Sequence, residues 1–356
     1  MVKPVSARCN LACEYCFYAR RSELYHPGPR TCMSEKVLEA MISQYLAIST
    51  EHASFSWQGG EPLLAGLDFY LRAVKLQEAH GRGHTVSNAF QTNGTLLSES
   101  WTRFFKRYKF LVGISVDGPP DIHNAYRRTR RGRPTFDRAM AGLELLKEDR
   151  VEFNVLSVVT NLSACRWEDI YRFFVDRGVR YLQFVPCREL DAAGNPAPFN
   201  VTADQYGEFL CRMFDLWRED FPNVYIRLFN SVLAARMGAA GGLCTLGPRC
   251  GEYLVVEYNG DVYPCDFFVD RGMLMGNLME SSLGRISEST PFEEFGRAKL
   301  GLPRECKDCP WLDLCYGGCR YHRPDRLHPS RTDFCASYRR FFEYSEEGYR
   351  DIERRL

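Results

Sequence analysis

Cys9-Asn10-Leu11-Ala12-Cys13-Glu14-Tyr15-Cys16-Phe17-Tyr18 places three cysteines in the spacing C-x3-C-x2-C near the start of the 356-residue chain, directly after a short β-rich stretch, Val2–Ala7. Three thiolates are one short of a closed tetrahedral zinc site or of a four-iron cubane held entirely by protein. A [4Fe–4S] cluster here keeps one iron open to an outside ligand, which catalysis at that iron requires. A zinc ion completed by a distant ligand is the alternative that spacing alone leaves open.

Outward from this array, short β-rich runs alternate with amphipathic ones. After Val2–Ala7, strands are expected at Ser54–Gln58, Val86–Gln91, Phe110–Val116, Glu152–Val159 and Arg180–Pro186. Helices are expected at Ser34–Leu46, Leu67–Glu78, Ser98–Tyr108, Thr135–Glu148 and Arg166–Arg177, with Ser34 and Ser98 as N-caps. Such alternation implies an α/β fold with parallel strands and right-handed crossovers. A doubly wound sheet and a partial barrel fit it equally. Beyond about residue 190 the character changes: Asp191–Pro198 reads as a loop and Thr202–Trp217 as a helix. Glu252–Tyr258, Asn259-Gly260 and Asp261–Cys265 read as a hairpin turned on the Asn-Gly pair. From Leu243 to Cys335 the chain is cysteine-dense and short in regular structure, so metal is expected to hold its shape.

Composition narrows the partners. Lys+Arg 46 against Asp+Glu 45 gives a formal charge of +1, which removes the global electrostatic case for nucleic acid or an anionic membrane. Met1–Arg8 carries no apolar run and is expected to be neither signal peptide nor leader-binding domain. No apolar stretch approaches the roughly 18 residues of a membrane span. A cytoplasmic location keeps thiols reduced, so 15 cysteines suggest metal ligation or redox chemistry before disulfides.

The C-x3-C-x2-C array followed by an aromatic resembles the radical S-adenosylmethionine (SAM) superfamily. Gln58-Gly59-Gly60-Glu61-Pro62 follows the next expected strand, where that superfamily carries its GGEP motif against the cofactor's amino group. Gln91-Thr92-Asn93-Gly94-Thr95 and Ser115-Val116-Asp117-Gly118-Pro119 end two further strands, as expected of a barrel-type site. The resemblance implies a partial (β/α)6 barrel. It also implies Cys9, Cys13 and Cys16 as ligands of a first [4Fe–4S] cluster, with Tyr15, Gly59, Gly60, Glu61 and Ser115 on the S-adenosyl-L-methionine side. A turn-capping hydroxyl is the plainer reading of Ser115.

Eight further cysteines lie in the last third: Cys244, Cys250, Cys265, Cys306, Cys309, Cys315, Cys319 and Cys335. Their spacing resembles the SPASM domain. By that resemblance Cys244, Cys250, Cys265 and Cys319 hold one auxiliary [4Fe–4S] cluster, and Cys306, Cys309, Cys315 and Cys335 the other. A pair of zinc ribbons is the alternative. Four thiolates per cluster leave no open iron, so electron transfer or structure is their role. Cys32, Cys165, Cys187 and Cys211 are left over and expected to be small buried hydrophobes. The expected division is residues 1–235 for the barrel and its following helix, and 236–356 for the SPASM-type segment.

Six segments point more narrowly, to the anaerobic sulfatase-maturating enzymes: residues 13–18, Phe55–Pro62, Leu182–Cys187, Val262–Phe268, Cys315–Arg320 and Phe341–Tyr344. Membership implies oxidation of a Cys or Ser in an unfolded or nascent sulfatase to Cα-formylglycine, with a reducing donor of flavodoxin or ferredoxin type. A primary carbon radical removes the Cβ hydrogen; the product radical then loses a proton and an electron. A carboxylate beside an electron acceptor serves both needs, and Asp266, directly after Cys265, is the general base by resemblance; a turn-capping carboxylate is its plainer reading. Tyr18, Gln58 and Arg127 are the substrate-side residues implied. The remainder of the basic run Arg127–Arg133 reads as a solvated loop, and His322 and His328 as surface histidines. A maturase that installs thioether or carbon–carbon crosslinks in a ribosomal peptide shares this machinery and is the competing enzyme reading. A zinc or iron–sulfur scaffold is the non-enzymatic one.

Overall fold

The computed structural model describes residues 1–19, 22–26, 28, 31–190, 194–239, 242–325 and 329–356. Two compact units emerge. The first comprises Met1–Val116, Asn124–Phe153 and Gly251–Phe295; the second comprises Asp117–His123, Asn154–Cys250 and Gly296–Leu356.

In the first unit β1 (Val2–Lys3), β2 (His52–Trp57), β3 (Thr85–Thr92) and β4 (Leu111–Ser115) run parallel, in that order. Helices Glu35–Ile48, Leu67–His80 and Glu99–Arg107 connect them, as the pattern required. Ser34 caps the first of these, accepting from the Val37 N–H at 3.3 Å. Ala53, Phe55 and Trp57 alternate inward from β2, and Trp57, Tyr70, Phe90 and Phe105 fill the space beneath. The Trp57 indole donates to Asn88 Oδ1 at 2.8 Å, and Asn88 exchanges hydrogen bonds with Gln77, so this core leaves no polar group of the three unpaired.

The first strand is shorter than expected. Pro4 has no N–H to continue a ladder, and the chain turns at Ser6, whose φ is +51°. The carbonyls of Ser6 and Arg8 instead accept the N–H groups of Gly60 and Glu61 at 2.7 and 2.9 Å. The other edge of β1 pairs parallel with β8 (Val255–Glu257), Val2 facing Val256 and Lys3 facing Glu257. β8, β9 (Asp261–Tyr263) and β10 (Gly276–Asn277) form the expected hairpin and one more antiparallel strand, with Gly260 turning at φ +93°.

In the second unit β5 (Phe153–Val159, whose first residue belongs to the first unit), β6 (Tyr181–Pro186) and β7 (Tyr225–Ile226) are parallel neighbours, Val155 opposite Leu182 and Tyr181 opposite Tyr225. Helix Ala203–Asp220 starts in a capping box between Thr202 and Gln205. It packs along helix Cys335–Glu353, where Phe214 meets Tyr349 at 4.8 Å between ring centres. A Cβ on Gly348 would lie 2.7 Å from the Phe214 ring, so only glycine lets these helices close.

Three expectations fail on burial. Cys187 and Cys211 are buried, but Cys32 is partly exposed and Cys165 is exposed, since Cys165 ends the short helix Asn161–Ala164 at a turn. His322 is buried: its ring stands edge-on to Phe334 at 5.2 Å. Asp191–Ala193 of the expected loop, and His328, fall outside the described residues.

Candidate active site and thiolate clusters

The first cysteine loop is held from two sides within the first unit. Ala12 and Glu14 donate their N–H groups to the carbonyls of Arg128 and Tyr126 at 2.8 and 3.1 Å. On the other side Asn10 belongs to a closed ring of hydrogen bonds with the end of β3. Asn93 Nδ2 donates to Asn10 Oδ1 at 2.9 Å, Asn10 Nδ2 to Thr95 Oγ1 at 2.8 Å, and Thr95 Oγ1 to Asn93 Oδ1 at 2.7 Å. The Thr95 N–H also donates to Asn93 Oδ1, which fixes the orientation of that amide. Its NH2 group therefore lies 3.8 Å from Cys9 Sγ, and the Leu11 N–H lies 3.4 Å from the same sulfur.

Burial pushes the Cys9 thiol up to about 12, and the charges of Glu61, Cys13 and Cys16 add to the rise while the Leu11 N–H opposes it. The three thiols thus share one neighbourhood. Cys9, Cys13 and Cys16 all keep partial solvent exposure, as an openable site needs.

Gly59 and Gly60 lie against this loop. A Cβ on Gly60 would stand 2.1 Å from the Arg8 carbonyl oxygen, and one on Gly59 2.9 Å from that of Ser6, at a φ of +140°. Glu61 is wholly buried and accepts from the N–H groups of Leu63 and Asn93 and from the Thr92 hydroxyl, at 3.0, 2.8 and 2.8 Å. Burial raises its carboxyl to about 7 even so. Ser115 ends β4, nearly buried, and accepts from Gln91 Nε2 at 3.1 Å.

The sequence singles out Tyr15 and Arg127 separately; the fold stacks them. Both are buried, with the Arg127 guanidinium 5.3 Å above the Tyr15 ring centre. Arg128, Arg130, Arg131 and Arg133 are exposed, as the solvated-loop reading has it.

Around Asp266 the first unit assembles a buried polar cluster that no motif announced. Asp266 is 8% exposed and starts a 3₁₀ turn immediately after β9 and Cys265. The Tyr253 hydroxyl donates to its Oδ1 at 2.9 Å. Lys3 is 1% exposed, with its ammonium 4.3 Å above the Tyr18 ring centre. Burial lowers the Lys3 pKa, against the charges of Asp266, Glu257, Cys265 and Cys16. Tyr18, also buried, donates to Glu257, and Gln58 approaches the Met1 sulfur. The Met1 amino group donates to the Leu254 carbonyl at 2.7 Å and is pushed down to about 5 by burial. Lys3, Glu257 and Tyr253 carry no local signal: strand pairing sets Lys3 opposite Glu257, and Tyr253 reaches Asp266 from the segment just before β8.

The second unit sorts its cysteines. Cys319 is pushed up to about 12 by burial and by the charges of Cys244 and Cys250. Cys306, Cys309, Cys315 and Cys335 line a cavity of about 40 Å³. Burial raises the Cys315 thiol to about 11, opposed by the N–H groups of Gly317 and Gly318 aimed at its sulfur. Tyr316, Gly317 and Gly318 take φ of +45°, +70° and +67° in succession, the left-handed run that turns those N–H groups inward. Sulfur-only donors, N–H groups directed at sulfur, and buried cations nearby fit an anionic, thiolate-ligated metal group. Cys265 lies in the first unit. Among the described residues no three His, Cys, Asp or Glu side chains converge as ligands of a single metal ion, and no helix is long and apolar enough to cross a membrane.

Residues 4–174 match the family model of the Radical SAM superfamily, and residues 244–310 match that of SPASM, an iron–sulfur cluster-binding domain. The chain is 39% identical to the serine-type anaerobic sulfatase-maturating enzyme of Bacteroides thetaiotaomicron, over 97% of this chain and 88% of that one. It is also 39% identical to the cysteine-type anaerobic sulfatase-maturating enzyme of Clostridium perfringens, over 97% and 95% respectively. A solved structure of native anSMEcpe with bound AdoMet and the Cp18Cys peptide superposes with a TM-score of 0.90 at 36% identity, covering 99% of this chain and 97% of that one.

Proposed function

We propose, for a chain that belongs to the radical SAM superfamily and within it to the anaerobic sulfatase-maturating enzymes, that Asp266 accepts the substrate proton in the oxidation of a sulfatase Cys or Ser to Cα-formylglycine. The observation that carries the assignment is a buried carboxylate directly after Cys265 and fixed by the Tyr253 hydroxyl. When bound, S-adenosylmethionine and its three [4Fe–4S] clusters supply a primary carbon radical for the Cβ hydrogen and an acceptor for the second electron.

The chain's own residues do the rest. Cys9, Cys13 and Cys16 hold the first cluster; Cys244, Cys250, Cys265 and Cys319 hold the second; Cys306, Cys309, Cys315 and Cys335 hold the third. Gly59 and Gly60 keep the loop beside the first cluster free of side chains. Glu61 braces that loop against β3, while Tyr15 and Ser115 line the cofactor side. Asp266 takes the proton from the substrate sulfur or oxygen, and Tyr253 aims the carboxylate that receives it. Gln58 meets the sulfatase segment directly. Tyr18 and Arg127 serve the substrate side from buried positions, Tyr18 through Glu257 and Arg127 through Tyr15.

Residues 1–235 form the radical-generating part and 236–356 the auxiliary-cluster part, a division supported by one family match falling on each side. A flavodoxin- or ferredoxin-type donor reduces the enzyme in the cytoplasm, a reading supported by the cysteine-rich sequence, since that compartment keeps thiols reduced. Anaerobic mass spectrometry tests the reading on short peptides of the Cys/Ser-x-Pro/Ala-x-Arg type. Reduced enzyme with cofactor converts the cysteine or the serine version to the aldehyde; no aldehyde from either rejects it.

A further inference from the structure

Arg320, Arg323 and Lys299 lie buried among the cysteines of the second unit, and Arg323 and Lys299 have no carboxylate within ion-pair distance among the described residues. Arg323 is 2% exposed. Its guanidinium donates only to carbonyls: Nη2 to Lys299 at 3.0 Å and Tyr316 at 3.3 Å, Nε to Gly317 at 3.3 Å. Lys299 is fully buried, and its ammonium donates to the carbonyls of Cys244 and Thr245. Carbonyl dipoles satisfy the N–H groups but leave the charge uncompensated, and a buried charge demands an opposite one. The anions in reach are sulfurs. Arg323 spans both sets through its carbonyl partners: Tyr316 and Gly317 lie between Cys315 and Cys319, and Lys299 in turn holds the Cys244 carbonyl. Burial lowers the pKa of both cations, and the charges of Cys250, Cys306 and Cys319 on Arg323 and of Cys250, Cys244 and Cys319 on Lys299 oppose it.

We propose that Arg323 is a counter-charge shared by both auxiliary sulfur sets, and that with Lys299 it holds the groups bound there at a more oxidising potential than the thiolates alone would give. A thiolate-ligated iron–sulfur cluster gains negative charge on reduction. A fixed cation in a poorly polarisable interior therefore stabilises the reduced state more than the oxidised one. A guanidinium keeps its charge at every working pH and its planar fork spans several carbonyls at once, which makes Arg323 a permanent element of that field. An oxidase that must draw an electron from a substrate radical gains driving force from such a shift. Arg323 acts through the clusters and touches no substrate; it is a positioning charge.

This proposal rests on the auxiliary-cluster reading of the late cysteines, and the experiment separates the two. Anaerobic holoenzyme is titrated potentiometrically under electron paramagnetic resonance, and the signals insensitive to added S-adenosylmethionine are taken as auxiliary. Wild-type protein without such signals sinks the auxiliary-cluster reading before any variant is made. Given those signals, Arg323→Gln moves both midpoint potentials to more negative values, whereas Arg323→Lys, which keeps the charge, leaves them at the wild-type position. Iron loss in the glutamine variant alone also supports the proposal, because it makes charge the requirement. Unchanged potentials in Arg323→Gln overturn it. So does an equal shift, or equal iron loss, in Arg323→Lys, which would assign the residue to bracing loop carbonyls.

Discussion

The Tyr253 hydroxyl lies between two consecutive residues, donating to Asp266 Oδ1 at 2.9 Å and standing 3.6 Å from Cys265 Sγ. One phenol thus ties the carboxylate assigned to the proton step to the sulfur assigned to an auxiliary cluster. Tyr253→Phe removes the donor and keeps the ring. Aldehyde formation should fall by about tenfold, the scale of one hydrogen bond to a charged group, while 5′-deoxyadenosine still accumulates; mass spectrometry of both products checks this.

Asp266→Asn keeps the shape and removes the proposed base. Iron content should match wild type, and aldehyde yield should fall by about two to four orders of magnitude, the range of general-base contributions. Wild-type turnover in this variant removes Asp266 from the mechanism.

Asn93→Asp keeps the oxygen that accepts from Thr95 but loses both donors, toward Asn10 Oδ1 and Cys9 Sγ. Hydrogen bonds to cluster sulfur raise reduction potential. The signal that responds to S-adenosylmethionine should therefore move to a more negative potential, with the auxiliary signals unmoved. Redox titration of the variant measures both.

Gly60→Ala drives a Cβ into the Arg8 carbonyl, a backbone contact of 2.1 Å that no rotamer relieves. The cluster loop must shift. The variant should lose about four of about twelve irons, corresponding to one cluster of three, and with them all cofactor cleavage.

Glu61 gives a pH dependence with a definite sign. Its carboxyl rises from 4.5 to about 7 on folding, chiefly through burial. A raised acid contributes its stability below the unfolded value and loses it as pH climbs through the folded one, a swing on the order of 3 kcal/mol. Thermal melts of the anaerobic holoenzyme should fall between pH 5 and pH 8 by more in wild type than in Glu61→Gln.

Much of this was legible along the chain because its signals are local. The C-x3-C-x2-C array, Gly59-Gly60-Glu61 and the Asn259-Gly260 turn each fall within ten residues, and the strand–helix alternation repeats at short range. The departures were tertiary. Val2–Ala7 has the composition of a strand, yet Pro4 and the approach of Gly60 and Glu61 stop it at Lys3. Cys165 and His322 took average burial for their residue types, and the helix end at Cys165 and the ring of Phe334 reversed both.

The sequence marked the candidate ligands, because the spacing of its cysteines resembles that of known iron–sulfur families. It also determined the α/β class, because helix and strand periodicities are written residue by residue. Tertiary structure alone decided the electrostatics. Lys3 meets Glu257 across a strand pair separated by most of the chain, and Arg323 gathers the carbonyls of Lys299, Tyr316 and Gly317 from a loop with no motif. The strength of a charge depends on what surrounds it in space, and no linear pattern encodes that.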